Sequence, residues 1–540
     1  MHSSVKRRLS WAMSAWGSLA IVVISVVIAW FTWPPFDLDF WIELGFFVGG
    51  LVLFFFCVAM ALFKSARRWK RWCAIPPGVL GAGLLGATLF AVVRLQQIGA
   101  SIETFQTRDN RGASHAQSND LAFVRLSSKS ATKTYPIVYL AGGPGGSGIL
   151  TLLGRRQPVF MAMREFGEVI ALDQRGTMPW NLPWLMCPNT IDFPLDRPYE
   201  PQSALAIYEP YVRACAAYYT AEGVDLRNFN TVENAEDLED LRVHLGAEKL
   251  TLWGTSYGSH LALAYLKRHP DKVHRVILHG VEGPDHTVKL PSVTDAMLGE
   301  IARLAAADSS LGMPDMVADL REILSQLERK PVVVDVIHDG KATKVVLGKY
   351  DVQMQVAQSL SAPWWSMKLP ATIAEMKRGD FSRYAHAAIR MGRGVRLSLM
   401  SLQMDCASGA SAQRQARIAA EMDGSILGNA INDPFPHICK FVDAPDLGEG
   451  FRTLAPSGVP TLFISGTLDG RTPVSNTLEV RPFFANSQHI VIAGAGHADD
   501  LFVGSTQILQ GMQEFMRGQP VSALALDIPR KFERLPKVAR

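Results

Sequence analysis

The sequence predicts an α/β domain with a mostly parallel, doubly wound sheet and a largely helical insertion, preceded by three transmembrane helices. Apolar segments of strand length alternate with segments of helical periodicity, which is typical of a parallel sheet covered by helices. Glycine-rich turns follow several of these strands, at the sheet edge where ligands bind. The first 94 residues contain long apolar runs without charged side chains.

Three charge-free runs near the N-terminus are each long enough to cross a hydrocarbon core, which takes ~20 helical residues. They cover residues 9–36, 44–63 and 72–93. We expect transmembrane helices within them, at about residues 11–33, 44–63 and 73–93. A buried core helix is a poor explanation for three consecutive runs. A cleavable signal peptide competes for the first run, but that run is too long and lacks a small-x-small cleavage site.

The charges around these runs predict the orientation in the membrane. Five basic residues crowd the loop 64–72, whereas the first connection carries only three acidic residues. The positive-inside rule therefore places this loop and the N-terminus in the cytoplasm, and everything after Arg94 in the periplasm or outside the cell. Residues 1–94 hold nine Lys/Arg and three Asp/Glu, a net charge of +6. The rest of the chain holds 45 Lys/Arg and 47 Asp/Glu, a net charge of −2. The overall charge of +4 thus reflects membrane topology, with a lipid bilayer as the partner, and does not indicate nucleic-acid binding.

The exported part is predicted to contain a polar segment, a core in two parts, and an insertion between them. These are residues 95–133 (a linker or an outer edge strand), 134–283, 457–540 with the C-terminal tail, and 284–456 as a cap or lid. In the first core part we expect strands at residues 135–141, 168–172, 250–253 and 273–281, with helices at 230–246 and 259–267. In the second we expect strands at 460–466 and 489–493 and a closing helix to about residue 517. Insertions of this length usually cover a site or select its substrate.

A glycine-rich loop, Gly142–Gly148, follows the first of these strands. A loop that cradles phosphate is one interpretation of so many glycines. That interpretation requires a following Gly-Lys-Ser/Thr, which this sequence lacks. A loop whose backbone N–H groups approach a substrate carbonyl fits better.

A serine lies in a sharp turn between a buried strand and a helix. The segment from Gly254 to Gly258 has the Gly-x-Ser-x-Gly pattern of a nucleophile elbow around Ser256, and its glycines leave room for the turn. Asp469 and His497 each follow a strand of the second core part. The order serine, acid, histidine is that of the α/β-hydrolase catalytic triad. The structural alternatives are an Asx turn at Asp469 and a loop or helix-capping role for His497.

Four of the six cysteines belong to the exported part, where disulfides are permitted. Four cysteines allow three pairings, and we favour the pairs that are close in sequence, Cys187 with Cys215 and Cys406 with Cys439. Zinc ligation is a poorer explanation because no C-x2-C or H-x3-H spacing accompanies them. We expect no metal and no cofactor.

Taken together, the motifs resemble the prolyl and tripeptidyl aminopeptidase family of α/β-hydrolases. The resemblance covers about residues 134–518 and is carried by Gly-Gly-Pro-Gly-Gly-Ser-Gly, Asp-Gln-Arg-Gly, Gly-Thr-Ser-Tyr-Gly-Ser, Leu-Asp-x-x-Thr-Pro and Gly-x-Gly-His. The sequence departs from the pattern at Ala141, often His in the prolyl branch, at Gly470-Arg471, often Pro-Val, and at Ala498, usually Gly. None of these departures touches the triad, but they weaken any transfer of substrate preference. The membrane runs are not part of the usual pattern.

The resemblance implies a serine exopeptidase that cleaves short peptides from a free amino terminus. Ser256 would be acylated while His497, oriented by Asp469, takes and returns its proton. The backbone N–H of Tyr257, and by resemblance that of Gly143, would hold the oxyanion.

A peptidase of this kind also needs an anion for the substrate ammonium, because an unpaired buried charge is costly. Glu282, with Asp285 behind it, is the candidate; a solvated loop carboxylate is the alternative for either. Trp364 and Trp365 would line the substrate pocket or pack within the cap.

Three functions therefore compete. The first is a membrane-tethered serine aminopeptidase, and the second is an esterase or other acyl hydrolase with the same triad, since fold and triad do not determine the acyl group. The third is a binding protein on an inactive hydrolase fold, which an intact triad disfavours.

Overall fold

The computed structural model describes residues 97–534, apart from residues 109–117, 133, 179, 182, 314 and 498. The predicted transmembrane helices and their orientation lie outside the described residues. Within the described ranges, no helix is both long enough and apolar enough to span a membrane.

The described strands are Ala100–Arg108 (β1), Ser118–Leu126 (β2), Ile137–Leu140 (β3), Val169–Leu172 (β4), Leu250–Ser256 (β5), Val273–Val281 (β6), Val332–His338 (β7), Lys341–Leu347 (β8), Thr461–Gly466 (β9), Ser487–Ala493 (β10) and Ala525–Asp527 (β11). Nine of them form one sheet in the order β1-β2-β4-β3-β5-β6-β9-β10-β11. The pairs β1–β2 and β2–β4 are antiparallel and the rest of this sheet is parallel. The predicted mostly parallel sheet is therefore confirmed.

The α-helices come in three groups along the described chain. Before the insertion they are Gly148–Leu153 (α1), Gln157–Met163 (α2), Pro201–Ala221 (α3), Thr231–His244 (α4) and Tyr257–Arg268 (α5). The insertion holds Pro291–Ala307 (α6), Met316–Arg329 (α7), Lys349–Ser359 (α8), Pro363–Ser366 (α9), Leu369–Lys377 (α10), Ser382–Gly392 (α11), Leu399–Ser408 (α12), Ala412–Met422 (α13) and Gly448–Arg452 (α14). The last group is Val474–Val480 (α15), Asp500–Val503 (α16) and Thr506–Met516 (α17).

Helices cover both faces of the large sheet, and the strand residues alternate between the two faces. Val138 and Leu140 of β3 pack in a cluster with residues of α4 and α5. Ile137 and Tyr139 face the opposite way, into a second cluster with residues of α1, α2, α16 and α17. All four of these strand residues are fully buried. A strand that is buried on both faces has no polar side, which is why β3 is an unbroken apolar run in the sequence.

The insertion builds an apolar core of its own. Residues of α6, α7, α8, α10 and α11 share one buried cluster, and Leu468, just before Asp469, joins it. The cap is therefore packed against the loop that carries the candidate catalytic acid.

Five strands of the described chain, β1, β2, β7, β8 and β11, were not among the strands placed at specific residues from the sequence. The segment considered a linker or an edge contains β1 and β2, so the edge-strand alternative is the one the structure shows. Strands β7 and β8 form a hairpin inside the insertion that was expected to be largely helical. Its turn, Asp339-Gly340, has positive φ at both residues, and Asp-Gly between alternating apolar residues is the usual signal of such a hairpin.

Both predicted disulfides are confirmed, Cys187–Cys215 and Cys406–Cys439. The first joins the segment after β4 to α3. The second joins α12 to a short 3-10 helix at His437–Phe441. Each bridge closes a loop of about 30 residues. Closing a loop of that size lowers the entropy of the unfolded chain, which stabilises the folded state by about 3–4 kcal/mol.

Candidate active site

The turn between β5 and α5 holds Ser256 in a conformation that residues with a Cβ rarely adopt. Its φ is +53°, and the helix begins at the next residue. A Cβ on Gly254 would lie 2.5 Å from the carbonyl oxygen of Gly258, and a Cβ on Gly258 would overlap the carbonyl of Leu140. The prediction that this turn requires both glycines is confirmed. Strain of this kind is concentrated at functional sites.

Asp469 lies beyond the end of β9, fully buried, and accepts hydrogen bonds on both carboxylate oxygens. Its Oδ1 accepts the backbone N–H groups of Arg471 and Thr472, at 2.9 and 2.8 Å. Its Oδ2 lies 2.9 Å from His497 Nδ1. Burial raises the pKa of the Asp469 carboxyl, but His497 and these hydrogen bonds outweigh burial and hold that pKa below its ordinary value. The carboxylate is thus ionised and aligned on one imidazole nitrogen.

Thr472 is a residue of this site that the sequence analysis did not single out. Its hydroxyl donates to Asp469 Oδ2 at 2.7 Å and lies 3.1 Å from His497 Nδ1. The hydroxyl therefore contacts both the acid and the base. The signal was available, since Thr472 is the threonine of the Leu-Asp-x-x-Thr-Pro motif.

The glycine-rich loop passes directly against the serine. A Cβ on Gly142 would lie 2.8 Å from Ser256 Cβ, so only glycine fits at this position. Gly143 is the next residue of the loop. Tyr257 is the first residue of a helix of 12 residues, so its backbone N–H lies at a helix N-terminus, which favours negative charge. The Tyr257 side chain is buried, and its hydroxyl contacts Thr231 Oγ1 at 2.9 Å. Only the main chain of Tyr257 is thus placed to meet an oxyanion.

The Asp-Gln-Arg-Gly motif at residues 173–176 supports that loop from below. Buried Asp173 accepts the hydroxyl of Ser147 at 2.8 Å, and Gln174 Nε2 donates to the carbonyl of Ala141 at 2.9 Å. Arg175 is buried and binds Asp237 of α4 through two nitrogens, at 2.5 and 2.7 Å. The motif is therefore structural, and it fixes both ends of the glycine-rich loop.

Helix α12 of the cap contacts the site at several points. The hydroxyl of Ser401 donates to the carbonyl of Pro144 in the glycine-rich loop at 2.6 Å. Met404 Sδ lies 3.1 Å from the Tyr257 hydroxyl, and Ser408 Oγ lies 3.1 Å from His260 Nε2. Because Cys406 fixes this helix through a disulfide, the cap and the glycine-rich loop are positioned together.

Glu282 lies near the serine, but its carboxylate already has a partner. Its backbone N–H donates to Ser259 Oγ at 2.8 Å, and that hydroxyl donates to the carbonyl of Ser256 at 2.5 Å. Its Oε2 forms a buried ion pair with Lys289 Nζ at 3.2 Å. Asp285 binds the backbone N–H and the hydroxyl of Ser411, the N-cap of α13, at 2.6 Å each. Asp285 therefore has a structural role.

Two further charged residues, Asp405 and Arg471, belong to the same cluster. Burial raises the pKa of Tyr257, and the charge of Asp405 on α12 adds to that rise. The pKa of Asp405 itself is raised to about 8 by burial and then by Glu282. Burial has the largest effect on the pKa values of Glu282, Lys289 and Asp405, and the positive charge of Arg471 lowers each of them by a smaller amount. Both side chains are partly exposed. We refer to Glu282, Lys289, Asp405 and Arg471 as the charged cluster.

The two predicted tryptophans belong to a helix that contacts the loop just before the candidate base. They belong to α9, and a Cβ on Gly496, the residue before His497, would overlap the ring of Pro363 at the start of that helix. Trp364 is 66% exposed and Trp365 47% exposed. Both side chains are therefore exposed, and whether they line the substrate pocket or pack the cap stays a prediction.

The two other histidines near the sheet edge are buried and bonded within the core. His279 accepts the indole N–H of Trp253 at 3.0 Å and stacks on Phe502, and burial lowers its pKa to about 3. His260 lies 3.0 Å from the carbonyl of Gly283, and burial lowers its pKa as well. Both imidazoles are therefore neutral structural groups.

Among the described residues, no hydrogen bond joins Ser256 Oγ to His497. Such bonds are often long before substrate binds and tighten afterwards. The arrangement still places the strained serine, the histidine and its carboxylate on adjacent strand ends, since β5, β6, β9 and β10 are neighbours in the sheet.

Comparison with known proteins supports this description. A profile for the alpha/beta hydrolase fold matches residues 208–334, which include Ser256. The chain is 31% identical to serine protease Hip1 of Mycobacterium tuberculosis over 178 residues, 31% of this chain and 32% of Hip1. It is 25% identical to proline iminopeptidase of Arabidopsis thaliana over 48% of this chain and 52% of that protein. It is 26% identical to tripeptidyl aminopeptidase of Streptomyces lividans over 27% of this chain and 28% of that protein.

The chain thus matches between 28% and 52% of the length of these relatives. The profile and the named relatives agree with the observed sheet. Together with the observed fold, these similarities support a hydrolase enzyme with the α/β-hydrolase fold.

Proposed function

We propose that this serine hydrolase is a membrane-anchored aminopeptidase that cleaves short peptides from a free amino terminus through an acyl-enzyme on Ser256. The observation that carries the proposal is the charged cluster near the serine, in which Asp405 is a partly exposed carboxylate without a hydrogen bond to the described residues. Simple esters have no ammonium group for such a carboxylate to bind. The proline iminopeptidase and tripeptidyl aminopeptidase among the relatives support the same class of substrate.

In this mechanism His497 takes the proton of Ser256 as the hydroxyl attacks the peptide carbonyl. The imidazolium that forms is stabilised by ionised Asp469, which binds the other ring nitrogen at 2.9 Å. The proton then passes from His497 to the leaving amine. In the second half of the reaction His497 takes a proton from water, which attacks the acyl-enzyme, and Ser256 regains its proton as the acyl group leaves. Asp469 remains ionised throughout because its pKa is held low.

Negative charge develops on the carbonyl oxygen in each step. The backbone N–H of Tyr257 and that of Gly143 are the donors we assign to it, with the helix N-terminus adding to their effect. Each donor of this kind contributes on the order of 10²- to 10³-fold in rate.

Asp405 is the group we assign to the substrate ammonium, in place of Glu282. Glu282 and Lys289 neutralise each other, and the side chains of both are nearly buried, 8% and 12% exposed. The remaining Lys289 donors bind the carbonyls of His286 and Thr287. A substrate ammonium that approaches Asp405 stabilises the ionised carboxylate, which burial alone disfavours. Exposed Trp364 and Trp365, on the helix that contacts Gly496, would bind the apolar part of the peptide.

Peptide anilides with a free amino terminus, their N-acetyl counterparts and aryl esters of the same acyl groups test the proposal. We expect the free peptides to be cleaved about 10- to 100-fold better than the acetylated ones, since leaving a charge unpaired costs a few kcal/mol. Asp405→Asn should remove this preference, while Asp423→Asn on the exposed surface should keep it. Cleavage of the esters alone would favour the esterase, the second candidate.

A further inference from the structure

Arg471 belongs to the charged cluster, and the mechanism gives its side chain no role. It lies two residues after Asp469 and donates its backbone N–H to that carboxylate at 2.9 Å. The loop around it is tightly held, because the N–H of Gly470 donates to the carbonyl of Leu360 in the cap at 3.1 Å. A Cβ on Gly470 would lie 2.5 Å from the same oxygen. The backbone of Arg471 is therefore fixed beside the catalytic acid.

The side chain of Arg471 has no partner of its own. In the part of the chain that the structure describes, its guanidinium makes no hydrogen bond and no ion pair within 4 Å. It is nonetheless close enough to Glu282, Lys289 and Asp405 for its charge to act on all three. A partly exposed guanidinium at this position is available to a ligand.

The four charges of the cluster divide into an inner pair and an outer pair. The inner pair, Glu282 and Lys289, is satisfied within the protein. The outer pair, Asp405 and Arg471, is partly exposed, and neither side chain has a hydrogen bond to the described residues. A carboxylate and a guanidinium that are both partly exposed and belong to one cluster are complementary to an ammonium and a carboxylate on the same substrate.

The geometry points to Arg471 as a specificity-determining residue that binds a carboxylate on the acyl side of the scissile bond. The enzyme then prefers peptides with an acidic residue near their amino terminus. This inference rests on the proposed aminopeptidase function. The carboxylate is assigned to the acyl side because the ammonium, bound at Asp405, belongs to that side. A guanidinium is well suited to this role because its two parallel N–H donors match a carboxylate.

Matched pairs of free-amino tripeptide anilides that differ only by Glu or Gln test the inference at each of the three acyl positions. We expect the wild type to favour Glu over Gln about tenfold in kcat/KM at one position. Arg471→Gln should reduce that ratio to about one, and Arg471→Lys should keep part of it. Arg303→Gln, which removes an exposed arginine from α6, is the charge-matched control and should leave the ratio unchanged.

Three results would overturn the inference while leaving the peptidase intact. They are no Glu preference in the wild type, a preference that Arg471→Gln does not alter, and an equal loss of kcat/KM on both peptides in that variant. The last result would mean that Arg471 only balances the charge of Glu282 and Asp405. If an aryl ester is cleaved and no peptide is, the proposed function itself fails.

Discussion

Thr472 binds the acid and the base of the triad with one hydroxyl. Replacing it by valine keeps the shape and removes the bond to Asp469 Oδ2. Because hydrogen bonds to a charged group contribute about 1.5–3 kcal/mol, we expect Thr472→Val to lower kcat by about 10- to 100-fold. Thr472→Ser retains the hydroxyl and is the matched control. Equal kcat values for the two variants would show that the hydroxyl does not act on the triad.

Asp405 makes the free energy of unfolding depend on pH, and its raised pKa gives the direction of that dependence. Its pKa is raised to about 8 by burial and by Glu282, whereas an aspartate in an unfolded chain has a pKa near ~3.9. Between these values the folded state holds a proton that the unfolded state has released. The contribution of Asp405 to the free energy of unfolding therefore falls as pH rises from about 4 to 8.

Asp405→Asn should remove that loss. We expect the variant to have nearly the wild-type melting temperature at pH 5 and a melting temperature a few degrees higher at pH 8.5, measured by calorimetry. A difference from the wild type that is the same at both pH values would contradict this account of the cluster.

At the scale of single residues, the site residues that could be predicted from the sequence are the ones that belong to a known catalytic motif. Ser256, Asp469 and His497 are found at the ends of strands because the order and the strand context are both local features. Asp405 and the pairing of Glu282 with Lys289 could not be predicted. They depend on how α12 of the cap approaches the end of β6, which no local pattern records.

Strand β6 brings a glycine directly against the triad acid. Gly280 has φ +55°, and a Cβ there would lie 2.6 Å from Thr472 Oγ1 and 3.2 Å from Asp469 Oδ2. We expect Gly280→Ala to lower kcat at least tenfold, because the methyl group displaces the hydroxyl that positions the acid.

Gly246 supplies the control for that substitution. Its φ is +60°, and nothing lies within 4 Å of its Cβ position. Gly246→Ala should therefore show only the backbone strain of about 1–2 kcal/mol in unfolding, with kcat unchanged. The same loss of kcat in both variants would mean that crowding of the triad plays no part.

At the scale of elements, the buried strands were predicted to within a few residues because both of their faces are apolar. The hairpin β7–β8 was not predicted, since its exposed strands alternate and lie between two helices. Its Asp339-Gly340 turn was the one clear signal. The edge strand β11 was not predicted because its three residues are too few to show an alternating pattern.

At the scale of the whole molecule, the proposed anchoring makes a prediction about topology. The charges around residues 64–72 predict that this loop lies in the cytoplasm and the hydrolase domain on the other side. Alkaline phosphatase fused after Arg94 should be active, because it folds only outside the cytoplasm. The same reporter fused after Arg68 should be inactive. Activity at residue 68 without activity at residue 94 would reverse the proposed orientation.

The central claim is that Ser256 accepts the acyl group of a peptide whose free amino terminus is bound beside it. It is tested most directly by the ratio of kcat/KM for a free-amino tripeptide anilide to that for its N-acetyl derivative, with Ser256→Ala as the blank. We predict a ratio of about 10 to 100 and a loss of about 10⁴-fold or more in kcat for Ser256→Ala. A ratio of one, or anilide cleavage that survives in Ser256→Ala, would contradict the account.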